Sequence, residues 1–237
     1  MNKHGERLDD LHRNGLKIIQ DPARFCFGID AVLLSDFAKV HKGQRHLDLC
    51  TGNGIVPILL TAKSAGSHFS GVEIQEDMAE MARRSVALNG LEDKVSIIHG
   101  DIRKHTGQYN VVTANPPYMA VDAGAQSPND ANAIARHEIF CNLDDVVAAA
   151  SRNLVSRGRF YMVHRPARLA DIFASLAAHR LAPKILQLVQ PRVGQPPNLL
   201  LIMASKDGGA GLQIPSPLVV YDDDGNYTEE LRRIYYK

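Results

Sequence analysis

Asn115, Pro116, Pro117 and Tyr118 close an apolar run, Asn110 to Ala114, whose residue types are those of a β-strand. Two prolines cannot continue a sheet ladder, so the strand ends there and presents its last groups at its carboxyl end. An exocyclic amine on a conjugated ring is a weak nucleophile, because its lone pair is spread into the ring. If the Asn115 side-chain oxygen and the Pro116 carbonyl each accept one of its N–H groups, the nitrogen is held with its lone pair out of the ring plane, ready to attack a methyl group. Tyr118 offers a flat face on which the same ring can stack. Asn-Pro is also an ordinary turn signal, so the surrounding elements must discriminate.

Three acids stand where neighbouring strands should end. His46 to Leu49 leads through Cys50 into Thr51-Gly52-Asn53-Gly54, and Ile55 to Lys63 reads as a helix: strand, glycine-rich turn, helix. Gly52 and Gly54 allow a tight turn and the close approach of a ligand. The dinucleotide fingerprint is broken, because Pro57 stands where its third glycine belongs. Asp48 is positioned to accept from a cationic amine. Glu73, near the end of Phe69 to Ile74, suits the hydroxyls of a ribose, and Asp101, after Val95 to Ile98, suits the exocyclic amine of an adenine.

The elements that must hold these groups are legible as a doubly wound α/β pattern. Glu76 to Leu88 reads as an amphipathic helix with Met78, Met81 and Ala82 inward, stopped by Asn89-Gly90. Glu6 to Leu16 spaces its leucines as a short helix would, Lys17 to Gln20 reads as an edge strand, and Phe25 and Phe27 precede Asp30, the expected N-cap of a helix through Ala38. After Tyr118 come a polar loop, Met119 to Asn132, and helical structure from Ala133. A helix capped by Asn142 is expected over Leu143 to Val155, then a strand, Gly158 to His164, and a helix, Arg165 to Arg180. Lys184 to Val189 and Asn198 to Met203 should pair antiparallel, since their link is too short for a parallel crossover. One domain is predicted over 1–237: an amino-terminal cap and cofactor-side helix over 1–40, a core over 41–206 and a tail over 207–237.

With 45% hydrophobic and 22% charged residues in 237, the chain has a folded protein's composition. Its 27 Lys and Arg against 26 acids give no overall field for nucleic acid, so RNA would need a local patch. Arg136, Arg165, Arg168, Lys184 and Arg192 are its candidates. Cys26, Cys50 and Cys141 lack zinc or disulfide spacing, which predicts no obligate metal and a reducing, cytoplasmic setting. No apolar run reaches membrane-spanning length and the first residues are polar, so neither a membrane span nor a signal peptide is expected.

Four successive strand ends bearing acids or glycine turns resemble the class I S-adenosylmethionine-dependent methyltransferases, whose Rossmann-like doubly wound sheet has seven strands, the last antiparallel. Asn115 to Tyr118 resembles the element shared by enzymes that methylate adenine N6, guanine N2 and the glutamine amide. Glu6 to Asp9, Leu16 to Gln20, Phe25 to Leu34, Ile134 to Glu138 and Tyr227 to Leu231 look like the bacterial tRNA1(Val) adenine-37 N6-methyltransferase family. That resemblance implies S-adenosylmethionine held by Phe27, Asp30, Asp48, Thr51, Gly52, Asn53, Gly54, Glu73, Ile74, Asp101, Ile102 and Asn115. It implies catalysis by Asn115, Pro116, Pro117 and Tyr118 on an adenine of the tRNA anticodon loop. No general base is expected, and His137 is read as loop structure. The rival readings are a guanine-N2 enzyme of ribosomal RNA, a glutamine-N5 enzyme, which should carry a larger amino-terminal domain than the roughly forty residues ahead of His46, and a non-catalytic cofactor- or RNA-binding protein.

Overall fold

β6 (Tyr109–Ala114) carries apolar residues on both faces, and β3 (Arg45–Leu49) carries Leu47 and Leu49 on one face with His46 and Asp48 buried on the other, so both strands are covered on both sides. In the computed structural model, which describes residues 3, 5–23, 26–116 and 141–236, the two lie side by side in an eight-stranded sheet. Across it the order is β10 (Leu218–Val219), β8 (Leu181–Gln190), β9 (Leu199–Lys206), β7 (Leu154–His164), β6, β3, β4 (His68–Glu73) and β5 (Val95–His99). From β7 to β5 all neighbours are parallel, and β9 is antiparallel to both β7 and β8. The seven expected strands are present with β9 reversed, and the two-residue β10 adds an eighth. The expectations on Phe25, Pro117, Tyr118, Met119 to Asn132, Ala133 onward, Arg136 and His137 lie outside the described residues.

Strand alternation feeds two apolar layers. Val111, Tyr161 and Val163 face α1 (Ile29–Phe37) and α2 (Ile55–Lys63), while Val112, Phe160 and Met162 face α4 (Leu143–Asn153) and α5 (Leu169–Ala178). α3 follows β4 over Glu76–Leu88, the bounds expected for it. Asn142 caps α4 reciprocally: it accepts the Asp145 N–H at 2.9 Å, and Asp145 accepts the Asn142 N–H at 3.1 Å. Among the described residues no helix is long and apolar enough to cross a membrane.

Several boundaries differ from expectation. Glu6 to Leu16 forms no helix: β1 (Arg7–Asp10) pairs antiparallel with β2 (Lys17–Gln20), and His12, Asn14 and Gly15 turn the chain with positive φ. Asn14-Gly15 was the turn signal that leucine spacing masked. This hairpin sits on α3, with Ile19 against Met78 and Met81. Arg84 grips the Glu6 carboxylate at 2.5 and 2.7 Å and holds its pKa at about 2. Asp30 is inside α1, where it accepts the Ala31 N–H; Gly28 is the N-cap. α4 stops at Asn153 because β7 already begins at Leu154.

The final helix, α6 (Glu229–Tyr236), closes back on the hairpin and α2. The Ile234 carbonyl accepts from Arg13 Nη2 at 2.5 Å and from Lys63 Nζ at 3.1 Å. Burial lowers the Lys63 ammonium to about 8 against the pull of Asp36 at 3.4 Å.

Candidate active site

Beyond β3 the chain turns at Cys50 and Gly52, both with φ of 57°, and at Gly54, with φ of 83°, before α2 starts. The two glycines do different things. A Cβ on Gly54 would press on Ala82 Cβ at 3.3 Å, so this glycine lets the loop pack on α3. A Cβ on Gly52 would meet nothing nearer than Met78 Cε at 4.0 Å and would fill open space over the loop. Glu73, 5% exposed, holds that loop from the next strand: Oε2 accepts the Gly52 N–H at 2.9 Å and Oε1 the Gln75 N–H at 3.0 Å.

Asp48 lies beneath the loop, 2% exposed, with both oxygens engaged. The Thr51 hydroxyl donates to Oδ2 at 2.7 Å and the Thr113 hydroxyl, from β6, to Oδ1 at 2.5 Å. While Asp48 is ionised, Thr113 gives its proton to it and its oxygen accepts from His46 Nε2, 2.8 Å away, which sets the imidazole tautomer. Burial pushes the Asp48 carboxyl up to about 7 against the opposing pull of the two hydroxyls, and the Glu73 charge adds to the rise. Burial alone pushes His46 down to about 3. Gly71, opposite Asp48 on β4, makes the room: a Cβ there would stand 2.7 Å from Thr51 Oγ1. Through its bonds to Thr51 and Thr113, Asp48 ties the loop to β6. Thr113 and His46 escaped the sequence reading. Their signal was His46 two residues from Asp48 on β3, on the same face, and a hydroxyl at Thr113 late in the apolar run of β6.

Asn115, half-buried, and Pro116, buried, follow directly on β6 at the loop's end of the sheet. Asp101 is gripped by Arg103, whose Nη2 lies 2.7 Å from Oδ2, and this holds the carboxyl below its usual range. Asn53 is buried; its Nδ2 reaches the Ile19 carbonyl at 3.4 Å, and its Oδ1 has no partner among the described residues. Ile74 is half-buried and Ile102 buried. Phe27 and Asp30 are placed against the final helix: Phe27 lines a small cavity with Leu11, Val32, Leu59, Ile234 and Tyr235, and Asp30 adds to the burial that raises the Tyr235 hydroxyl.

β8 runs parallel to β3 by way of β9 and β7, so Arg165 and Arg192, which follow β7 and β8, stand on the loop's rim of the sheet. Arg168 shares that connection and pairs with Asp171 at 2.6 Å. Lys184 does not join them. It sits near the start of β8, on the opposite rim, and donates to the Gly209 and Ala210 carbonyls. Among the described residues no three His, Cys, Asp or Glu side chains are grouped to hold a metal ion.

Open space over Gly52, the Glu73 carboxylate at the end of β4, the Asp101 carboxylate after β5 and an orphaned amide oxygen on Asn53 fit a ligand carrying hydroxyls, amines and a nucleoside, as S-adenosylmethionine does. Residues 16–173 match the family model of the methyltransferase small domain. A tRNA1(Val) (adenine(37)-N6)-methyltransferase of Aeromonas hydrophila is 28% identical over 204 residues, 85% of this chain and 85% of that protein. A structure described as a predicted O-methyltransferase from Agrobacterium tumefaciens superposes with a TM-score of 0.69 at 23% identity, over 87% of this chain and 95% of that one. A geranyl diphosphate C-methyltransferase from Streptomyces coelicolor, in complex with S-adenosyl-L-homocysteine, does so with a TM-score of 0.56 at 13% identity, over 74% and 78%. At those identities the two structures establish the fold alone. With the family match running from the turn before β2 into α5, more than half its length, the chain belongs to the methyltransferase small domain family and takes S-adenosylmethionine as its methyl donor.

Proposed function

We propose that this methyltransferase acts on N6 of an adenine in tRNA, adenine 37 beside the anticodon of a valine tRNA, in the cytoplasm. The reading leans most on the bond from Thr113 to Asp48, which couples the strand bearing Asn115 and Pro116 to the cofactor loop. The donor supplies a methyl group on a sulfonium, an excellent leaving group, so the protein's task is alignment and desolvation. Glu73 receives the ribose hydroxyls and Asp101 the ring amine of the donor. The Asn115 side-chain oxygen and the Pro116 carbonyl accept the two N–H groups of the target amine, and Tyr118 stacks on its ring. A hydroxyl or a carbon acceptor would leave one of those oxygens without a donor. An anticodon-loop base is already partly unstacked, so turning it into a pocket costs less than opening a duplex. Arg165 and Arg192 supply cations for phosphates on the same rim. Similarity to the Aeromonas hydrophila enzyme narrows the planar amine to adenine.

The test is nucleoside mass spectrometry of a valine tRNA transcript incubated with the protein and S-adenosylmethionine, beside a transcript with guanine at position 37. N6-methyladenosine from the first transcript alone is the expected result. Methylation of both, or of ribosomal RNA guanine or a protein glutamine instead, overturns the reading. Asn115→Ala should slow methyl transfer at saturating cofactor by at least about a hundredfold while cofactor affinity stays nearly intact. Asn115→Asp, which keeps an acceptor oxygen, should retain part of the rate.

A further inference from the structure

Cys50 and Cys141 touch: their sulfurs are 3.6 Å apart across a separation of 91 residues. Both are free thiols and half-buried. Cys50 joins β3 to the cofactor loop, and its φ of 57° lies in the left-handed region, which glycine occupies freely and a residue with a Cβ only under strain. Cys141 immediately precedes the Asn142 cap of α4. Strained backbone at a ligand loop, with a second thiol in van der Waals contact, is more than packing requires.

We propose that this pair is a thiol oxidation site: a peroxide converts it to a Cys50–Cys141 disulfide, which draws the cofactor loop toward the start of α4 and weakens S-adenosylmethionine binding. The inference rests on the cofactor loop and is indifferent to the methyl acceptor. Cys141 is the attacking sulfur. The contact between the two sulfurs lowers the Cys141 pKa and raises that of Cys50, and the thiolate is the nucleophile. The Cys141 thiolate displaces hydroxide from the peroxide and becomes a sulfenic acid. Cys50 then attacks that sulfur, the S–S bond forms, and the sulfenic oxygen leaves as water. In sum two thiols lose two electrons and two protons, and one peroxide is reduced to two waters. Sulfurs in a disulfide lie about 2 Å apart, so closure must shift Cys50 or the start of α4. The Thr51 N–H bond to the Val72 carbonyl at 3.0 Å and the Gly52 N–H bond to Glu73 at 2.9 Å both hang on the backbone that follows Cys50.

The experiment treats the full chain with hydrogen peroxide, maps its peptides by mass spectrometry, and measures S-adenosyl-L-homocysteine affinity by calorimetry before treatment, after it, and after dithiothreitol. A Cys50–Cys141 linked peptide is expected, with affinity lowered by at least about tenfold, the scale of one lost charge-assisted hydrogen bond, and restored by the reductant. Cys141→Ser should bind as the reduced protein does and ignore peroxide, and Cys50→Gly should show no change of affinity on peroxide treatment. Cys50→Gly relieves the backbone, which separates loss of the thiol from a folding defect. Cys26→Ser should respond as the wild type. Absence of the linked peptide, or a linked protein that binds as tightly as the reduced one, overturns the proposal. Failure to methylate tRNA in either redox state would count against the acceptor assignment alone, because neither readout involves RNA.

Discussion

Strands β3, β4 and β6 bury His46, Asp48, Ser70, Glu73 and Thr113, whereas β8, β9 and β10 bury only apolar side chains, and β7 adds His164 at its very end. Both regions belong to one sheet, yet their interiors obey different rules. Burying an ionisable group is unfavourable unless it is neutralised or bonded. In the parallel half Asp48 is raised, His46 is lowered, and hydroxyls from two elements meet the carboxylate. The half built around the reversed β9, with Leu200 and Ile202 wholly buried, contributes unmixed apolar burial. One half buries polar groups bonded to one another, and the other buries apolar side chains alone.

The largest expected effect breaks the second half. Ile202→Ala should cost about 2–5 kcal/mol in denaturant unfolding, through lost transfer energy and a cavity, and leave cofactor affinity of the folded protein unchanged. A matching collapse of affinity would mean that the halves are not separable. Glu73→Ala should do the reverse, lowering cofactor affinity about ten- to hundredfold by calorimetry, the worth of roughly 1.5–3 kcal/mol for a bond to a charged group. An unchanged affinity would remove Glu73 from the site.

A third test uses pH. The Asp48 carboxyl, raised to about 7, contributes stability that is fully present below its unfolded value and lost as pH rises through 7. His46, lowered to about 3, contributes stability that is present above its unfolded value and lost as pH falls toward 3. Between about pH 4 and 6.5 the two slopes oppose and cancel. Asp48→Asn leaves His46 alone, so relative to wild type its stability should climb by about 1.4 kcal/mol per pH unit across that window. Urea titrations at several pH values that run parallel for the two proteins would reject the buried neutral pair. Smallest is Asn142→Ala, which removes the cap of α4 and should lower stability by about 1 kcal/mol.

The same division governs what could be read from the chain. Elements with local signals came through: α2 and α3 at their observed bounds, the Asn142 cap, and the β8–β9 antiparallel pair implied by a short link. Groups defined by strand adjacency did not. Asp48 meets Thr113 only because β6 lies beside β3, a pairing of residues 65 apart that no local pattern encodes. The hairpin was missed because Leu8, Leu11 and Leu16 mimic a helical stripe, whereas Leu11 and Leu16 bond to each other across the turn. Asp30 failed as a cap because Gly28 had already opened the helix two residues earlier.

The hold of Arg13 on the Ile234 carbonyl spans 221 residues. Closing so long a loop costs chain entropy before any contact offsets it, so this clamp can set only once the sheet between has condensed. In kinetic terms it is a late event, and by the same reasoning it is where the native molecule opens first. Amides of α6 and the hairpin should exchange with solvent through an opening of lower free energy than that of the central strands. A chain halted short of that step would hold a formed sheet whose first strands and last helix have yet to meet.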